Sequence, residues 1–215
     1  MQGNELDELF ESEPSSTEKY YIRFDTEKNA LDSLRRAVEF MVKAESEPDH
    51  WKWFVIALHS ALYGYSISAI RGTDSDRVKS GGGRLIGFPE AIKRCKSADW
   101  TSQYGRPLTW NSERESSVRA ITETLRNGFE HFRALSWSIE KLYIVNHSLQ
   151  YVGIIDELAA NATPLSPMRM HGNIELTRLL CRTASTFLFG YVDLLNASIQ
   201  RDEEAARAQK FRQVP

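Results

Sequence analysis

Apolar residues recur at helical spacing along most of the chain. Leu31, Leu34, Val38, Met41 and Val42 lie three or four positions apart and predict a first helix, which Asp25 or Thr26 can cap and Pro48 closes. Asp49 can cap a second helix that ends near Arg71-Gly72. Its stretch from Trp53 to Ile70 carries no charge and is about long enough to span a bilayer. His59, Ser60, Gly64, Ser66, Ser68 and two tyrosines interrupt it, so it reads as the core helix of a soluble bundle, buried on most sides.

Beyond it, GTDSDRVKSGGG (Gly72 to Gly83) reads as an exposed loop. A shorter helix is predicted over Phe88 to Lys96, with Pro89 in its first turn. Ser112 followed by Glu115 forms a capping box, predicting a helix from there to about Arg133. An extended piece follows Trp137, and Asn146 heads a helix through Leu149, Val152, Ile155 and Leu158. Pro164 and Pro167 interrupt. Asn173 then caps a long last helix through Leu176, Leu179, Leu180, Phe187, Tyr191 and Leu195, whose charged continuation (RDEEAARAQKF) projects or frays. No strand alternation persists. The pattern predicts an all-α bundle of about five to six helices in one domain over residues 19–200. Residues 1–18, with six acidic and no basic side chains, read as a disordered acidic tail, and 201–215 as a charged extension.

Composition narrows the partners. The 215 residues suit one domain, and 41% hydrophobic with 26% charged residues excludes wholesale disorder. Lys+Arg 27 against Asp+Glu 29 excludes a uniformly basic nucleic-acid coat but leaves room for a local basic patch. Cys95 and Cys181 are too few for a disulfide framework and lack metal-ligand spacing. With an acidic start and no apolar leader, and a mean hydropathy of -0.43, the expectation is a cytoplasmic protein without a membrane partner.

The helix from Ser112 holds the candidate chemistry. At about 100° per residue, Val118, Ile121, Leu125, Phe129 and Phe132 share one face. Asn127 and His131, four apart, point almost opposite, with Arg126 on the flank. Gly128 costs about 1 kcal/mol in a helix interior, which suits close approach of another backbone or of a substrate. His59 reads as a hydrogen-bonded buried histidine. His147 and His171 lack ligand partners, Asp156-Glu157 reads as solvated, and Trp51 and Trp53 as packing.

The hexapeptide RNGFEH, Arg126 to His131, resembles the Arg-x-x-x-x-His signature of the HEPN superfamily of small helical domains. The stretches WKWFVIALHSALYGYSISAIRGTD and LRNGFEHFRALSWSIE extend the similarity towards a bacterial HEPN subfamily of largely uncharacterised proteins, over roughly Thr26 to Gln200. The resemblance implies an endoribonuclease that needs neither metal nor other cofactor. It also implies a homodimer in which two copies of the motif face each other in one composite site. Arg126, Asn127 and His131 would then be catalytic. Histidine titrates near neutral pH and serves as base or acid, arginine offers a permanent donor fork to phosphate oxygens, and asparagine holds either partner.

Arg133 and Trp137 are candidate RNA contacts, by charge and by stacking. A toxin branch of the superfamily extends the motif to His-x-Tyr, the tyrosine being modified by a partner antitoxin. Arg133 stands at that position here, so that mode of neutralisation is not implied. The expected function is RNA cleavage, as a toxin or defence effector with an antitoxin or regulatory partner possible. A non-catalytic RNA- or nucleotide-binding module and a helical dimerisation scaffold are the alternatives.

Overall fold

The computed structural model describes residues 24–131, 136–171 and 173–212; the acidic tail and Arg133 lie outside them. The architecture is all-α. Among the described residues the nearest thing to a sheet is one antiparallel bridge between Lys79 and Leu85.

Helix α1 (Thr26–Lys43) begins where Asp25, in extended backbone, accepts the Lys28 N–H at 2.8 Å. It ends before Pro48, because the chain already turns at Ala44 to Ser46. α2 (His50–Arg71) follows. Asp49 precedes it but has helical backbone and caps nothing with its side chain. α2 is the core helix: Phe54, Val55, Leu58, Leu62, Tyr65 and Ile70 are all buried. Among the described residues it is also the one helix long and apolar enough to cross a membrane. Ser66 and Ser68 are buried with those residues, Ser66 Oγ donating to the Leu62 carbonyl and Ser68 Oγ to Glu27. α1 lies so close that a Cβ on Gly64 would stand 2.7 Å from that of Ala30.

The segment after α2 is more built than an exposed loop. Gly72 (φ 54°) lets the chain turn where any Cβ would strike the Tyr104 ring at 1.8 Å. A 3₁₀ turn over Ser75–Val78 then buries Val78. Arg77 pins this turn, donating from Nε to the Ile70 carbonyl at 2.8 Å. Trp100 has the guanidinium of Arg94 4.1 Å from its ring centre and that of Arg77 at 5.4 Å. α3 (Phe88–Cys95) and the single turn α4 (Ala98–Thr101) complete this side.

α5 (Ser112–Arg119) starts one residue earlier than a Ser112 cap requires. Asn111 is the cap, accepting the Arg114 N–H at 2.8 Å, while Glu115 accepts from Trp110 Nε1 at 2.5 Å instead of closing a capping box. The helix continues as a π-helical segment, Ala120–Arg126, and one further α turn, α6 (Asn127–Glu130). α7 (Lys141–Asn161) begins five residues before Asn146. It has no side-chain cap, so burial of Ile144 and Val145, not a start signal, brings its first turn into the bundle. The short α8 (Pro167–His171) precedes α9 (Ile174–Arg212), which Asn173 caps by accepting the Leu176 N–H at 3.1 Å. α9 packs on α7 and α1 and keeps its helix through the charged continuation, with Phe189 and Leu194 standing out from the surface.

Glu157 on α7 is no solvated position. It accepts the Thr109 N–H at 2.6 Å and pairs with Arg114, tying α5 to α7. Burial works against its ionisation, but the Thr109 and Arg114 donors together outweigh burial and hold the carboxyl below its usual range. A depressed native pKa contributes stability that is present above the unfolded value of 4.5 and lost as pH falls through the folded one. Urea midpoints between pH 6 and pH 3 should therefore fall more steeply for wild type than for Glu157→Gln. Parallel curves would remove Glu157 from the acid response.

Candidate functional site

The π segment decides where the candidate residues go. Its i to i+5 hydrogen bonding widens the turn, so a constant 100° per residue no longer predicts the faces beyond Arg119. Ile121 and Leu125 remain fully buried, and Val118 and Phe129 are half-buried against the same core. The helix stops at Glu130. His131 is its C-terminal neighbour, in extended backbone (φ -102°, ψ 130°), exposed, with its N–H on the Asn127 carbonyl at 3.1 Å. Asn127 and His131 flank a final turn whose Gly128 is buried.

Arg126 is the last π residue, and its guanidinium is divided among neighbours. Nη1 donates to Asn127 Oδ1 at 3.1 Å, and Nη2 pairs with the Glu130 carboxylate at 2.5 Å. Nε is buried and, among the described residues, has no hydrogen-bond partner. Arg126, Glu130 and Thr122 form one wall of a cleft of about 810 Å³, whose other walls come from α1, α2 and the segment from Ser75 to Pro89. Asn127 and His131 do not line it.

His59, on α2, lines the same cleft. Its ring meets Phe88 edge-on at 4.4 Å between centres, and Nδ1 lies 3.4 Å from the Tyr151 hydroxyl. Tyr151 is itself 3.1 Å from Thr122 Oγ1, so a buried polar chain joins α2, α7 and the π segment. Burial first, and the Arg126 charge second, push the imidazole down to about 4. His59 is neutral at physiological pH, as a buried histidine with a hydrogen bond should be, but it also faces a cavity, which its place in an apolar helix did not reveal.

On the other side of the motif, Phe129 helps line a groove of about 500 Å³ with Trp53, Lys52 and Lys141. Lys52 lies 4.7 Å from the centre of the half-exposed Trp53 ring, whereas Trp51 is buried against Phe54 and Tyr191. Trp137 is half-buried with its ring 5.1 Å from that of Phe129. The remaining candidates have structural work. His147 Nδ1 meets Ser117 Oγ at 2.9 Å, joining α5 and α7. Burial pushes the thiols of Cys95 and Cys181 up to about 12, far from the thiolate a nucleophile requires.

Comparison with protein-family models, with curated proteins and with solved structures returns no match for this chain. Fold and geometry define an all-α protein with a mixed polar and aromatic cleft, beside which an Arg-Asn pair and an exposed histidine close one helix.

Proposed function

We propose that this chain is an endoribonuclease of HEPN type that needs no metal, acting as a homodimer in which two copies bring Arg126, Asn127 and His131 together. The observation that carries the reading is the π segment. Such segments are rare and recur at functional sites, and this one ends on the arginine of the sequence motif. Asn127 braces the guanidinium, and the helix stops so that the His131 imidazole stands in solvent, where a partner's RNA can reach it.

The chemistry is attack of a ribose 2′-hydroxyl on the adjacent phosphorus, giving a 2′,3′-cyclic phosphate and a free 5′-hydroxyl. One imidazole removes the 2′ proton, and the imidazolium of the second copy protonates the departing 5′-oxygen. Arg126 supports the charge on the non-bridging oxygens. Lys52, Lys141 and the Trp53 ring offer phosphate and base contacts along the neighbouring groove, with Trp137 and Arg133 beside it in sequence. A cytoplasmic toxin or defence role, restrained by an antitoxin or regulatory partner, accompanies this reading.

A non-catalytic RNA- or nucleotide-binding module is the second reading, favoured by the cleft that holds Arg126 without His131. The test is incubation of the purified protein with labelled single-stranded and transfer RNA in EDTA, with product ends analysed. Cyclic-phosphate ends are the expected result. RNA that stays intact while bound would favour the module.

A further inference from the structure

We propose that the groove between the start of α2 and the start of α7 is a docking site for an acidic amphipathic segment, and that its occupant is this chain's own stretch from Glu5 to Glu13. The docking goes beyond the ribonuclease reading and stands or falls without it.

The groove is apolar with a cationic rim. Phe129, Ile139 and Ile144 line it together with Trp53, whose ring is 48% exposed. Lys52 lies over that ring and Lys141 opens α7, and among the described residues neither lysine forms an ion pair. Against these two cations the lining residues set only Asp49. No side chain caps α7, so the positive end of its dipole faces the same side as Lys141 and Ile144 of its first turn. Apolar anchors flanked by carboxylates are the complement of such a surface.

The stretch NELDELFESE, Asn4 to Glu13, supplies both. Leu6, Leu9 and Phe10 fall at i, i+3 and i+4, the spacing by which one helical face presents anchors to a groove. Glu5, Asp7, Glu8, Glu11 and Glu13 surround them without a basic residue. Residues 132–135, which also adjoin the groove in sequence, carry Arg133 and would bring a third cation to a rim that already has two.

The tether is long enough. Pro48 to Trp53 place the groove at the corner between α1 and α2, so it lies one length of α1, about 27 Å, from Thr26. Fourteen residues separate Phe10 from Phe24, where the described chain begins, and that many span up to about 46 Å when extended. Covalent attachment over such a span gives an effective concentration on the order of millimolar, at which a weak contact is already populated. Lys52 and Lys141 are also the lysines offered to RNA above, so a docked segment and RNA exclude each other there.

Indole N–H NMR signals of Trp51 and Trp53, both of which line the groove, read the docking in the isotope-labelled full chain without RNA. Leu6→Ser/Leu9→Ser/Phe10→Ser keeps every charge of the segment and should move both signals. A peptide of sequence NELDELFESE added to that variant should return them saturably to their wild-type positions, less effectively as salt is added. Lys52→Glu/Lys141→Glu in the same background should weaken peptide binding about tenfold or more, with Lys52→Gln/Lys141→Gln as a milder pair that changes it in the same direction. Melting temperatures near wild type confirm that these variants are folded.

Trp51 and Trp53 signals identical in wild type and in the triple variant, with no response to the peptide, would overturn the proposal. So would peptide binding indifferent to both lysine pairs. Wild-type signals that shift on dilution would put the segment of a second copy in the groove and overturn docking within one chain. Signals that answer to Phe132→Ser and not to the triple variant would give the groove to residues 132–135 instead. None of these readings uses RNA, so failure of the docking and failure of the ribonuclease reading are separate results.

Discussion

Arg71→Met is expected to destabilise the fold by about 3–5 kcal/mol, roughly 6–20 °C in Tm for a chain of this size. Glu27, at 2% exposure, is the most deeply buried carboxylate among the described residues, placed there by the first turn of α1. Two donors hold it: Arg71 Nη2 at 2.6 Å and Ser68 Oγ at 2.6 Å, both from the last turns of α2. Removing the guanidinium leaves a buried carboxylate with a single hydroxyl, the costly half of a broken pair. Removing the charge as well should return most of the loss. In Glu27→Gln/Arg71→Met the amide oxygen still accepts from Ser68, so the double variant should melt above Arg71→Met alone. A thermal double-mutant cycle measures this, and strictly additive losses would show that the pair does not hold α1 on α2.

His131→Ala is expected to lower RNA cleavage by about 10²- to 10⁴-fold, the range for loss of a general acid or base. Exposed side-chain position and retained helix ends predict that its melting temperature stays near wild type, so the loss would be chemical. Arg126→Ala should cost about 10²- to 10³-fold through lost support of phosphate charge. Asn127→Ala should cost less, since Asn127 braces Arg126 through a single hydrogen bond. Because one composite site would use the histidines of both copies, excess His131→Ala chains mixed with wild type should suppress activity as mixed dimers form. Cleavage within tenfold of wild type by His131→Ala would exclude that histidine as acid or base.

Much of the fold was legible because periodic apolar positions report burial directly. The all-α class, the central place of α2, the caps at Asp25 and Asn173, and the short helix opened by Pro89 all follow from local signals. The start of α7 was not legible. Leu142 to Val145 is an apolar run without a capping residue, and only contact with the core makes it helical. The segment after Gly72 looked like solvent-exposed chain, since the bonds that pin it come from Arg77 and Arg94 reaching residues distant in sequence.

For the candidate site, the sequence offered Arg126, Asn127 and His131 as candidates, through the resemblance of RNGFEH to the HEPN signature. Tertiary structure decided whom they meet. A regular helix would have carried on through His131, whereas the helix stops at Glu130 and leaves His131 in extended backbone. Arg126 meets Glu130 and lines a cleft with His59, 67 positions earlier in the chain. Helical periodicity reports one face of one helix, while a cleft is made where several helices fail to close on one another, and no local pattern encodes that.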